Sequence, residues 1–198
     1  MSHPLLWNRL NQHESDKGGL VNRREIIVAA SGVALGATAA YGARPERMKP
    51  QIGDVLVYAF GDRIGSVIKP ADVHDDRIFA FAMAPDGLVR DGSLHNQLSL
   101  LRVDEVAMSE KTRRYAAGAI LAVSAACTHT GCEVGGWQRE THELICPCHG
   151  SRFAVLDAAA VVLGPATKPL ALLPIEQDEG VIRVTGKFSR RIGPAPTF

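Results

Sequence analysis

All four cysteines of this 198-residue chain fall within twenty-five consecutive residues, in two short boxes. The first reads Cys127-Thr128-His129-Thr130-Gly131-Cys132; after thirteen residues the second reads Cys146-Pro147-Cys148-His149-Gly150-Ser151. Two of the seven histidines lie in them. Crowding of that kind points to a metal centre, a disulfide, or both. Each box sets one Cys beside one His: Cys127 with His129, and Cys146 with His149. Thiolate and imidazole together suit zinc or an iron–sulfur cluster. A Cys2His2 zinc site can be assembled from these four residues, but the usual zinc order puts both cysteines in one pair and both histidines in the other. Zinc also leaves Cys132 and Cys148 without a role. Two plain disulfides are the other simple reading, and they leave a histidine in each box by coincidence.

The N-terminal part says where such a site could persist. Residues 1–21 are polar and mixed, with no sustained hydrophobic period, and read as a flexible tail. Asn22-Arg23-Arg24-Glu25 then precedes an uncharged, Ala- and Gly-rich run at 26–43. Paired arginines before a mildly apolar run resemble a twin-arginine export signal, with Asn22 where Ser or Thr is usual. Ala37-Thr38-Ala39 fits a small-residue cleavage site, yet the 18 residues of 26–43 are near the short end of a bilayer span. Segment 22–43 is therefore a removed signal or a retained membrane anchor. Either one places the folded part in the bacterial periplasm or on the periplasmic face of the inner membrane, where a disulfide can form and last. Residues 44–50 read as a linker and 51–198 as the folded domain.

From residue 51 the texture is that of short strands. Apolar runs at 55–60, 66–68, 77–84 and 98–103 are bounded by Gly-Asp, Pro or Pro-Asp-Gly turns, which favours an all-β sandwich or small barrel. Residues 109–115 suit one or two helical turns, and the Ala-rich run at 116–126 reads as a strand leading straight into Cys127. Further strands are expected at 170–175 and 181–185, with His142 at a hairpin turn between the boxes. Lys plus Arg is 22 and Asp plus Glu is 21, so nothing in the overall charge supports nucleic-acid binding.

Cys-Thr-His-Thr-Gly-Cys followed by Cys-Pro-Cys-His-Gly-Ser resembles the two cluster-binding boxes of the Rieske iron–sulfur proteins of the cytochrome bc type. The likeness is specific over 122–166 and general over the rest of 51–198. It implies the Rieske fold: an antiparallel β-sandwich or barrel base with a small inserted cluster-binding subdomain at about 122–168. It implies one [2Fe–2S] cluster per chain, with Cys127 and Cys146 on one iron and His129 and His149 on the other. It also implies a disulfide between Cys132 and Cys148, which would close a loop worth roughly 3 kcal/mol in the chain-entropy model. Gly131 and Gly150 allow the tight turns. Gly164-Pro165-Ala166 matches the family's proline loop over the cluster; alone it would be only a turn. Ser151 matches a serine whose hydroxyl donates to a bridging sulfide.

Three positions depart from the pattern. Phe153 stands where high-potential members carry a Tyr donating to a cysteine sulfur. Thr130 stands where quinol-oxidising members carry Leu, and Ala154 where an Asp is common. The resemblance implies an electron-transfer subunit, with no independent catalytic site, beside quinol-oxidising cytochrome b and c-type subunits, with quinol as donor. Phe153 and Thr130 keep a second class in view, the small Rieske subunit of an exported molybdenum oxidoreductase resembling arsenite oxidase, with a molybdopterin catalytic subunit as partner. A ring-hydroxylase ferredoxin and a structural zinc module rank lower. His3, His13, His74, His95 and His142 read as surface histidines, and Trp137 as local packing.

Overall fold

The computed structural model describes residues 44–195. The tail at 1–21 and the signal or anchor at 22–43 lie outside the described residues. Among the described residues, no helix is long and apolar enough to cross a membrane.

Turn chemistry sets the first strands. Gly53 at φ +91° turns the chain into β1 (Val55–Tyr58), and Gly87 at φ +88° turns it out of β2 (Ile78–Met83). Asp86 caps that second turn by accepting from the Leu88 N–H at 3.0 Å. Residues 66–68 lie against β1 through one bridge, Val57 to Val67, before Pro70 opens a short 3-10 turn. They form no strand of their own. After β3 (Leu98–Arg102), Ser109 accepts from the Thr112 N–H and starts a single helical turn, α1 (Glu110–Arg113).

β4 (Ile120–Ser124) decides where the site can be. All five of its residues are buried. Ile120 and Ala122 enter one apolar core with Leu56, Leu98, Leu100, Ile175 and Ile182. Leu121 and Val123 face a second core that contains Cys127, Cys146, Leu144 and Phe153. A strand buried on both faces shows a continuous apolar run in sequence, not alternation.

β9 (Leu172–Leu173), β10 (Ile175–Asp178) and β11 (Val181–Val184) complete an antiparallel sheet in the order β10-β11-β1-β2-β3-β4-β9. Its two edge strands, β9 and β10, are consecutive in the chain with only Pro174 between them. The sheet must therefore curl until its edges meet, giving a nearly closed barrel. The single strand expected at 170–175 is divided here because Pro174 has no N–H to donate to a ladder.

The second sheet is a meander of β5 (Gly136–Gln138), β6 (Glu143–Ile145), β7 (Arg152–Ala154) and β8 (Ala160–Leu163). His142 sits at the β5–β6 turn with φ 53°. Polar contacts join this sheet to the barrel. The Arg77 guanidinium lies 4.0 Å over the Phe79 ring and donates to the Val134 carbonyl at 3.0 Å. The Trp137 indole donates to the Asp75 carbonyl at 3.3 Å, and Arg139 pairs with the Asp75 carboxylate.

Candidate metal centre

The two cysteine boxes are two hairpin tips of equal length. The first is flanked by the bridge Ala126 to Glu133, and the second by the ladder pair Ile145 to Arg152. Each tip closes with the same two hydrogen bonds. Cys127 N–H donates to the Cys132 carbonyl and Cys146 N–H to the Ser151 carbonyl, both at 2.8 Å. Gly131 N–H then donates back to the Cys127 carbonyl and Gly150 N–H to the Cys146 carbonyl, both at 3.0 Å. That closure needs a left-handed residue at the fifth position of each tip, and the two glycines supply it at φ +86° and +72°.

The tips bring the predicted donors together. Cys127 and Cys146 are free thiols, both fully buried in the same apolar core. Burial pushes the Cys127 thiol up, against the N–H groups of His129 and Thr130 that favour its thiolate. The His129 and His149 rings meet edge to face with centroids 4.7 Å apart. His129 Nδ1 is buried with no hydrogen-bond partner. A buried imidazole nitrogen left unpaired is costly in a protein interior, and a metal ion removes that cost. Cys132 and Cys148 form a disulfide across the tips, with Cα atoms 6.6 Å apart.

The arrangement suits two metal ions better than one. A tetrahedral zinc site holds its donors within about 4 Å of one another. Among the described residues, the only set of three or more possible ligands within 4.8 Å is Cys132, Cys146 and Cys148, two of which are already joined to each other. Cys127, His129, Cys146 and His149 do not converge on one point. Two thiolates and two imidazoles spread over a diiron cluster need no such convergence, so the residues present fit a [2Fe–2S] group.

A third loop closes over the second tip. The Ala166 N–H donates to the buried Ser151 Oγ at 3.1 Å, which leaves the Ser151 proton free for another acceptor. Gly164, at φ +87°, packs so close that a Cβ placed on it would lie 2.6 Å from Ser151 Cα. Gly164→Ala is therefore expected to lower stability by about 2–4 kcal/mol, through the left-handed backbone and the backbone overlap together. Equal denaturant midpoints for variant and wild type would show that the loop yields at no cost.

Phe153, on β7, is fully buried in the same core as Cys127 and Cys146. Thr130 is exposed at the apex of the first tip. Pro165 lines an open cleft of about 500 Å³ with Thr128, His129, Thr130 and Lys168. Sequence reasoning missed the last wall of that cleft, Pro194 and Ala195 from the chain end. It also missed the place of His95, whose Nε2 would lie 3.2 Å from a Cβ on Gly193 and 4.0 Å from one on Gly131. No local signal connects residues so far apart in the chain.

A curled antiparallel barrel that carries two paired Cys–His tips under a third loop defines an iron–sulfur electron carrier. A family model described as the Rieske [2Fe-2S] domain matches residues 88–174. The cytochrome bc1 complex Rieske iron-sulfur subunit of Streptomyces lividans is 34% identical over 136 residues, covering 65% of this chain and 79% of that relative. The subunit of the same name from Streptomyces coelicolor is also 34% identical over 136 residues, but the match covers only 38% of its length. Among solved structures, the plasma membrane Rieske protein PetC3 of Synechocystis aligns at 24% identity with a TM-score of 0.40, over 61% of this chain and 97% of that one. The chain belongs to the Rieske iron–sulfur protein family. It is an electron-transfer protein with a Rieske-type [2Fe–2S] cluster.

Proposed function

We propose that Cys127 and Cys146 bind one iron and His129 and His149 the other, His129 through Nδ1, in a cluster-binding subdomain at 122–168. The observation that carries this is the unpaired, buried Nδ1 of His129 beside two free, buried thiols. A [2Fe–2S] group with two imidazole ligands supplies one-electron chemistry at about −150 to +300 mV. The protein's own residues set the conditions for it. Cys127 and Cys146 sit in an apolar core that keeps water from the sulfur side. His129 lines the open cleft and His149 is exposed, so their free ring nitrogens can hold or release a proton to solvent. The Ser151 hydroxyl accepts from the Ala166 N–H, which leaves its proton for a sulfur of the cluster.

The physiological reading is transfer of an electron from a quinol to a c-type cytochrome, within a complex containing cytochrome b and c-type subunits. The names of the Streptomyces relatives support it. Export by the twin-arginine route, through Arg23 and Arg24, would place the domain at the periplasmic face of the membrane, held there by segment 22–43 if that is retained. The polar, exposed Thr130 favours a second reading, in which a molybdopterin subunit is the electron donor.

The paramagnetic resonance spectrum of the reduced protein tests the ligation, read together with the metal content. Two irons per chain and a mixed-ligand diiron signal are expected; stoichiometric zinc without a signal overturns the proposal. Phe153→Tyr tests the tuning. One added hydroxyl donor to a ligand sulfur is worth about 0.5–1.5 kcal/mol, which for one electron is roughly 20–65 mV. The potential is expected to rise by that amount in voltammetry, and an unchanged or lower value counts against a donor role at this position.

A further inference from the structure

The last described residues form a basic face that runs up to the cluster tips. Ser189 exchanges two hydrogen bonds with Leu172, N–H to carbonyl at 2.8 Å and Oγ from N–H at 2.9 Å, which fastens 187–191 along the free edge of β9. Lys187, Arg190 and Arg191 flank that anchor, all exposed, and with Lys49 and the half-buried Phe188 they line a cleft of about 300 Å³. Ile192 then packs under Ala126, the residue before Cys127, and Pro194 sits 3.5 Å from where a Gly131 Cβ would be. Only Ile192 and Gly193 lie between Arg191 and Pro194, a span of at most about 10 Å. Lys168 continues the positive charge into the cleft beside His129.

These cations are set apart by their grouping on one face. No acidic side chain lines either cleft. Among the described residues, none of Lys49, Lys168, Lys187, Arg190 and Arg191 belongs to an ion pair, a condition they share with cations elsewhere such as Lys69 and Lys111. The whole chain has a formal net charge of only +1, so the charge is concentrated, not general. Arginines around a fixed aromatic ring are the composition of a protein interface, and one-signed charge speeds and orients encounter.

We propose that this face, from Lys49 through Arg191 to Lys168, docks an acidic protein surface of the electron-transfer partner and holds it at the His129 side of the cluster. The proposal rests on the cluster lying between the two tips. A cationic face beside the exit point for electrons binds a negatively charged partner where transfer is shortest.

The test uses full-length reduced protein in non-ionic detergent and two small oxidants of opposite charge. In each reaction one electron leaves the protein, turning ferricyanide into ferrocyanide or tris(phenanthroline)cobalt(III) into cobalt(II). In Lys187→Glu/Arg190→Glu/Arg191→Glu, oxidation by ferricyanide at low ionic strength is expected to slow by about tenfold or more, and oxidation by the cobalt cation to quicken. The differences should shrink as salt rises. A control with the same charge change at exposed residues elsewhere, Lys69→Glu/Lys111→Glu/Arg114→Glu, should move both rates far less. The reduction potential of each variant is measured so that rates are compared at equal driving force. Equal effects in the two triple variants overturn the docking face. So do unchanged rates together with lost binding to phosphatidylglycerol vesicles relative to phosphatidylcholine, which would make it a lipid-facing surface. A wild-type protein without a diiron signal takes down the cluster assignment as well, and the spectrum alone separates that failure from the others.

Discussion

Cys146→Ser is expected to lose the cluster outright and to leave a destabilised protein, whereas His149→Ala loses the cluster and keeps its fold. Both follow from the proposed ligation, and the contrast follows from burial. Cys146 is fully buried in the core it shares with Val134, Leu144 and Phe153. A serine hydroxyl there is a poor ligand for iron that prefers thiolate, and once unligated it is a buried polar group without a partner, costing about 1–3 kcal/mol. His149 is exposed, so its truncation leaves no such orphan. Iron per chain and the resonance signal should vanish in both variants. Urea unfolding compared with the metal-free wild type should show a lower midpoint for Cys146→Ser only. Retention of a normal signal in either variant would remove that residue from the ligand set.

The sequence discloses most about this protein where chemistry restricts residue type. Iron–sulfur clusters are held by Cys and, in the Rieske type, His, so the proposed ligands Cys127, His129, Cys146 and His149 stand out in the sequence. Turn residues do the same for β1, β2 and β11, because Gly53, Gly87 and Gly180 take positive φ. Pro174 is also visible as a strand breaker, and attention to it alone would divide 170–175 correctly. The equal build of the two tips has a signal too, a glycine at the fifth position of each box, though its meaning appears only with the shared hydrogen bonds. Residues 116–126 are ambiguous for a physical reason. β4 supplies two cores at once, and burial on both faces erases the alternation that identifies a strand. The return of 187–195 to the first tip has no local cause at all. It depends on Ser189 finding Leu172 and on Pro194 finding Gly131, contacts between segments far apart in sequence that each look like ordinary loop.

The disulfide gives the second large effect, and an ordering that simple addition would not give. Joining Cys132 to Cys148, 16 residues apart, is worth roughly 3 kcal/mol against the unfolded chain in the entropy model. In the proposed ligation, however, the bound cluster already links the same two tips through iron. The double variant Cys132→Ser/Cys148→Ser should therefore assemble a normal cluster and lose it faster, by about tenfold if roughly half of that energy enters the barrier to opening the tips. The single variant Cys132→Ser should be worse than the double one. It releases the Cys148 sulfur as a thiol in a group where the sulfurs of Cys132, Cys146 and Cys148 lie within 4.8 Å of one another. A free thiolate at that distance would compete for the iron assigned to Cys146 in the proposed ligation, and the native disulfide suppresses that competition by oxidation. Decay of the visible absorbance under air, followed for wild type, single and double variants, measures both effects. Equal lifetimes for all three would mean that the tips are held by the cluster and their own hydrogen bonds alone, and a single variant more durable than the double would mean that Cys148 is no competitor.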